Sequence, residues 1–414
     1  MGADVPSSSS RTFAAGIHDM EHAPAAKPGA LTFAAHAAFV PTGIVTVLLG
    51  PLLPSLAARW LLNDAQAGYL FTAQFAGSML GVALSAFVVA RFGYRVAIIA
   101  GLLMMAAGVA VLPLSPWLLG LACVVFYGFG LGLTIPACNL AVAAVHPVGR
   151  GAALNLLNFS WSVGAVACPF LLAAYNRGHH TLWFLYSLGG LIVAVSLLIM
   201  GISMPEQAAS APQPGGARSP VNWANRYILI LGSLFLLYVG TENAVGGWLA
   251  SFAERISTGG GVLWVMTPSC FYGALLFGRG IAPLLLRDID EIMLARAGLL
   301  TATLGVASLL FAHTVGAVMA GAAVAGLGLS AVYPITISML SQKFGAQSTR
   351  VGSLMFALGN LGGASMPWLV GYCSTQFGSL RSGLAVPLIA GVVMLGLYIG
   401  DWQLKTLERS VAAV

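Results

Sequence analysis

Twelve residues of the chain are acidic. Eleven of them (Asp4, Asp19, Glu21, Asp64, Glu206, Glu254, Asp288, Asp290, Glu291, Asp401 and Glu408) fall in polar stretches or at the edges of apolar ones. Glu242 alone lies deep inside an apolar run, roughly 24 Å along a helix of about 40 Å when counted at 1.5 Å per residue from Arg226. A carboxyl group placed there can take up a proton or a cation and so change the charge of its surroundings. Its neighbours suit that chemistry. Tyr238 lies one turn earlier on the same face, Asn243 follows directly, and Gly246 and Gly247 permit local breaking beside Trp248. The Trp248 ring suits either stacking on the C–H face of a sugar or interfacial anchoring.

Amides recur inside other apolar runs. Asn155, Asn158 and Trp161 follow at i, i+3 and i+6 and share one broad helical face. Gln74 shares a face with Phe71 and Ser78, and Asn139, Asn360 and Tyr333 (beside Pro334) lie within three further runs. Their donors and acceptors match the hydroxyls of a small polar solute, against the alternative of bonding neighbouring helices. His36, near the start of the first run, adds an imidazole that can exchange protons. Arg279 falls about 10 Å inside the end of its run and is read as an anchor that snorkels to the surface. No HExxH, P-loop, nucleophile with a nearby base or second carboxylate beside Glu242 occurs, which argues against an enzyme and an ATP-driven pump. The five cysteines (Cys123, Cys138, Cys168, Cys270 and Cys373) form no CxxC pair, and the adjacent His179 and His180 do not converge as ligands, so neither metal nor cofactor is expected.

The elements that position these groups follow from composition. With 58% hydrophobic and 7% charged residues, against roughly 25% charged in soluble domains, the chain fits an all-α integral membrane protein. Apolar runs long enough to cross about 30 Å of hydrocarbon recur along it. We place twelve spans at 32–58, 66–90, 96–114, 117–145, 151–175, 181–202, 226–253, 262–286, 292–312, 316–341, 350–375 and 381–402. An ionisable group at the centre of such a span costs roughly 2.5 to 3.5 kcal/mol unless it meets a partner or a wet cavity, so Glu242 is expected to face one of these.

The net charge of +6 is spread singly between spans, which disfavours nucleic acid as partner. Its placement reports topology. Arg91, Arg95, Arg150, Arg279, Arg287, Arg296, Lys343 and Arg350 fall on one side with the tails, while Arg59, Arg177, Arg255 and Arg381 fall on the other. The positive-inside rule then puts both termini in the cytoplasm. No signal peptide is expected in the Ser-, Ala- and Pro-rich first thirty residues. The predicted organisation is a disordered tail over 1–30, a six-helix half over 31–202, a Pro- and Gly-rich linker over 203–225, a second half over 226–403 and a tail over 404–414. The halves echo each other: Phe75, Gly77 and Arg91 align with Phe271, Gly273 and Arg287, and Gly128, Gly130 and Pro136 align with Gly326, Gly328 and Pro334.

Six plus six spans, the central linker, and Arg91-Phe92-Gly93-Tyr94-Arg95 after the second span resemble the major facilitator superfamily. Arg91, Gly93 and Arg95 fit its gating-loop pattern G-x-x-x-D-R-x-G-R-R, whereas Ala86 and Ala90 replace its first Gly and its Asp. Gly50-Pro51 through Pro54, Gln66 with Gly68, Gln74 with Gly77, Gly240-Thr241-Glu242 and Gly247-Trp248 resemble the fucose permease branch, which implies a sugar:cation symporter. That branch carries acids in its first and fourth spans. Here the fourth-span position is Ile135, so Glu242 is the only acid left to couple. The resemblance therefore implies a secondary active transporter in a bacterial inner membrane, monomeric, moving a hexose or related solute with H+ or Na+. The alternative is a drug or metabolite efflux antiporter. The antiporter pattern G-x-x-x-G-P reads Gly164 to Cys168-Pro169 here and lacks its second glycine.

Overall fold

The computed structural model describes residues 28–146, 150–176, 181–202, 223, 225–258, 261–344 and 347–412. The tail over 1–27, nearly all of the 203–225 linker, and the His179–His180 pair lie outside the described residues. Thirteen α-helices follow one another: α1 (Pro28–Val47), α2 (Leu49–Trp60), α3 (Asp64–Val111), α4 (Trp117–Val145), α5 (Arg150–Asn176), α6 (Thr181–Gly201), α7 (Arg226–Ile256), α8 (Thr267–Leu285), α9 (Glu291–Leu310), α10 (Val315–Leu329), α11 (Val332–Phe344), α12 (Ser348–Phe377) and α13 (Leu380–Ala412). No strand occurs among the described residues.

These thirteen helices make twelve passages. Among the described residues, nine helical stretches are long and apolar enough to cross a membrane. One of them, 51 residues from Asp64 to Leu114, holds the second and third passages and turns back at Gly93, whose φ of +82° disfavours any side chain. The more polar α8 and α12 complete the set. The first and tenth passages are each split in two, where unbroken spans had been expected. Pro51 cannot donate to the Val47 carbonyl, and α1 ends at Val47; Pro334 cannot donate to Ser330, and α10 ends just before it. At its far end α13 continues to Ala412, through most of the predicted tail.

The two halves are built alike down to their tightest crossings. A Cβ at Gly164 of α5 would fall on the Val40 carbonyl of α1, and one at Gly362 of α12 would fall on the Leu236 carbonyl of α7. A Cβ at Gly130 of α4 would meet the Gly101 carbonyl, and one at Gly328 of α10 would lie 2.5 Å from the Gly298 carbonyl of α9. Residues at matching offsets thus make matching backbone approaches. Small residues permit such crossings where lipid supplies no hydrophobic drive.

Between the halves, the named contacts lie toward one end, opposite the termini. Gly50 meets Gly246, Phe71 packs on Trp248, Thr72 Oγ1 donates to the Ala364 carbonyl, and Ala65 N donates to Thr375 Oγ1. Ser269 Oγ also donates to the Val166 carbonyl. The start of α3 is fixed by a capping box in which Asn63 and Gln66 bond each other's backbone N–H at 2.8 and 3.0 Å. That cap sets Asp64 at the seam, where Arg255 holds its carboxylate through both terminal nitrogens, at 2.8 and 2.5 Å. Ser374 adds a third donor to Asp64.

Candidate functional site

Four residues before the Gly50–Gly246 crossing, each half carries a part-buried polar side chain in an otherwise buried stretch. Residues 41–50 are buried except Thr46, and residues 240–253 are buried except Glu242 and Asn243. At the offset that carries Phe75 to Phe271, Glu242 coincides with Thr46. The two halves therefore offer a hydroxyl and a carboxylate at equivalent positions.

Glu242 has found a partner. Arg279 of α8 approaches it to 3.8 Å, with the two side chains 24% and 13% exposed respectively. The guanidinium therefore does not snorkel, as the sequence had led us to expect, because a buried carboxylate lies within its reach. The separation exceeds hydrogen-bond length. The Tyr238 phenol interacts with both charged groups and donates to the Leu329 carbonyl at 3.2 Å. Tyr333 stacks on Tyr238 with ring centroids 5.1 Å apart, and Tyr272 and Tyr333 lie within electrostatic range of Glu242. Arg279 Nε is buried with no acceptor.

The facing half carries uncharged polarity. Trp161 Nε1 donates to Thr46 Oγ1 at 3.2 Å, and the Thr46 carbonyl accepts from Gln74 Nε2 at 2.9 Å. Gln74 Oε1 takes a further bond from the Tyr127 hydroxyl at 3.0 Å. Gln74 is thus 3% exposed and committed to holding α1, α3 and α4 together. Thr46 and Tyr127 were not singled out in the sequence. A hydroxyl in an apolar run carries little signal unless the repeat is used to match it with Glu242.

The remaining sequence-derived candidates separate into two groups. Asn139, Asn158, Asn243 and Asn360 each donate one amide hydrogen to the carbonyl four residues back, which leaves a second hydrogen and the oxygen available. Asn155 and Asn158 are exposed. Trp248, in contrast, is 1% exposed and donates to the Pro367 carbonyl at 2.9 Å, so its ring fills the seam rather than an open cavity. His36 bonds Ser160 Oγ at 2.7 Å between α1 and α5. At the turn inside α3, Arg91 lies beside the Phe92 ring, and neither Arg91 nor Arg95 has an ion-pair partner among the described residues. Ala90 supplies no carboxylate there. No group of three metal-ligating side chains occurs among the described residues.

The model of the Major Facilitator Superfamily matches residues 35–307. The chain belongs to that superfamily. It is a membrane transporter and not an enzyme, with the twelve-helix, two-half fold of the family. Among curated relatives it is 24% identical to the TsgA protein homolog of Erwinia tasmaniensis over 342 residues, covering 80% of this chain and 84% of the relative. An MFS-type transporter of Yersinia pestis is 24% identical over 401 residues, 95% of this chain and 97% of that one. Among solved structures, a nucleoside transporter, NupG, superposes with a TM-score of 0.76 at 10% identity, covering 89% of this chain and 99% of that one. The fucose:proton symporter of E. coli superposes with a TM-score of 0.60 at 18% identity, over 89% and 97% of the two chains. A D-xylose–proton symporter gives 0.71 at 16% identity, over 88% and 97%. These likenesses establish a shared fold.

Proposed function

We propose that the chain is a secondary active transporter that moves a small polar solute, a hexose or related hydroxylated compound, together with a proton or sodium ion. The carrying observation is the Glu242–Arg279 pair beside Tyr238 and Tyr333 in the second half, with Thr46, bonded by Trp161, at the position of the first half that the repeat equates with Glu242. A buried pair with partial exposure is where a bound cation changes both local charge and hydrogen-bonding capacity. The solved sugar and nucleoside transporters with the same fold support the solute class. With both termini in the cytoplasm of a bacterial inner membrane, the closed seam faces outward and the exposed Asn155 and Asn158 face the cytoplasm, an inward-open state.

The test is uptake of labelled hexoses, pentoses and nucleosides into proteoliposomes under imposed pH or sodium gradients. Wild type accumulates its solute, whereas Glu242→Gln exchanges solute without accumulating it. Full accumulation by the variant would remove Glu242 as the coupling residue, and extrusion in place of uptake would favour the antiporter reading.

A further inference from the structure

Among the described residues, two arginine–carboxylate pairs link helices of this protein, and they differ in a way that bears on the cargo. Arg255 satisfies Asp64 through both terminal nitrogens. Arg279 stands 3.8 Å from Glu242, makes no hydrogen bond to it, and keeps its buried Nε without an acceptor. A guanidinium has five N–H donors in a planar fork. At the centre of this membrane protein the fork has only one phenol, Tyr238, as a partner at bonding range. A buried donor left unfilled on a cation is costly, and the acceptor that best fills a planar fork is a second carboxylate.

We infer that the solute carries a carboxylate, as a sugar acid does, and that this group and Glu242 compete for Arg279. The inference rests on the transporter reading above and narrows its solute class. While Glu242 is ionised the pair is neutral and the fork is turned toward it. When Glu242 takes a proton from the aqueous cavity, the site carries one net positive charge, and the anionic solute restores neutrality by occupying the fork. Proton and solute then enter together, and the loaded site is as neutral as the empty one, which allows both to reorient. The hydroxyls of the solute would meet Thr46, Trp161 and Asn243.

The other titratable groups around Glu242 fit this exchange. Tyr238 on the same helix, Tyr272 on α8 and Tyr333 on α11 are phenols, each with a hydroxyl able to donate or accept. Arg59 of α2 and Arg381 of α13 are held by backbone carbonyls, of Pro113 and Ser115 and of Leu310 and Ala312 respectively, and Lys343 of α11 sits over the Tyr227 ring. Among the described residues, Arg279 is the cation paired with Glu242.

The experiment is binding of D-gluconate and D-glucuronate, with D-glucitol and D-glucose as their uncharged counterparts, to purified full-length protein at pH 5.5, 6.5 and 7.5. Thermal shift and titration calorimetry provide the readouts. The acids should bind at least about tenfold more tightly than the neutral compounds. Their affinity should rise up to about tenfold for each unit of falling pH, the limit set by one proton per anion. Glu242→Gln should bind the acids with no pH dependence, and Arg279→Lys, which keeps the charge but loses the fork, should bind them more weakly while Arg279→Gln should lose the preference for acids. The pH series on wild type needs no variant to fold. Equal binding of neutral compounds, absence of acid binding at every pH, or acid binding that ignores pH in wild type would each overturn the inference. Neutral sugars accumulating in proteoliposomes would do so while leaving the transporter reading intact.

Discussion

Arg255 reaches across the seam between the halves to clasp Asp64 at 2.8 and 2.5 Å, and Ser374 completes the carboxylate's coordination. This is the best-formed charged contact between the halves among the described residues, and it sits at the end that is closed. On the carrier reading proposed above, it holds one of the two states that a carrier visits.

Removing it should shift the balance between those states. Asp64→Asn should favour opening of this end by about fivefold, on the basis of ~1 kcal/mol for a partly exposed ion pair. Spin labels at the exposed Leu114 and Phe377, one on each half, would report a longer mean separation in the variant. Raising the salt concentration should produce a smaller shift in wild type.

The mirrored glycines predict a mirrored penalty. Gly164→Ala and Gly362→Ala each drive a methyl onto a backbone carbonyl, and each should lower stability by about 1 to 3 kcal/mol. Gly190→Ala, at a position with nothing within 4 Å, should be neutral or slightly stabilising. Thermal denaturation in detergent distinguishes the three.

Thr46 predicts a split between two conservative changes. Thr46→Val removes the acceptor of Trp161 Nε1, at a cost of about 1 to 3 kcal/mol if the indole N–H is left without a partner, whereas Thr46→Ser preserves it. Transport kinetics should show KM raised in the valine variant and near wild type in the serine variant.

The fate of Glu242 and Arg279 shows what a sequence makes visible. Glu242 stood out because an acid within a long apolar run has no inexpensive explanation. Its partner did not, because Arg279 lies 10 Å from a span end, where lipid snorkelling is the simpler account, and only the packing of α8 on α7 turns it inward. Gln74 and Trp248 looked as available as any polar or aromatic residue within a span. Thr46 and Tyr127 occupy the one, and Pro367 the other, through contacts between helices distant in sequence. Asp64 and Arg255 were legible as charges at span ends, but their meeting across 191 positions was not. Span number and the duplication were legible because hydropathy and repeat offsets are periodic signals.

The Gly50–Gly246 crossing has a mechanical meaning. A Cβ on Gly50 would lie 2.8 Å from the Gly246 carbonyl, so the two backbones touch with no side chain between them. If the halves rock as the proposed carrier mechanism requires, such a point is suited to be their fulcrum. Thr46 and Glu242 are each four residues from it, Glu242 about 6 Å along α7 and Thr46 just across the break between α1 and α2. Groups so near a pivot sweep a short arc while the ends of the helices sweep a long one. The polar centre can therefore trade one aqueous reservoir for the other while its own geometry hardly changes.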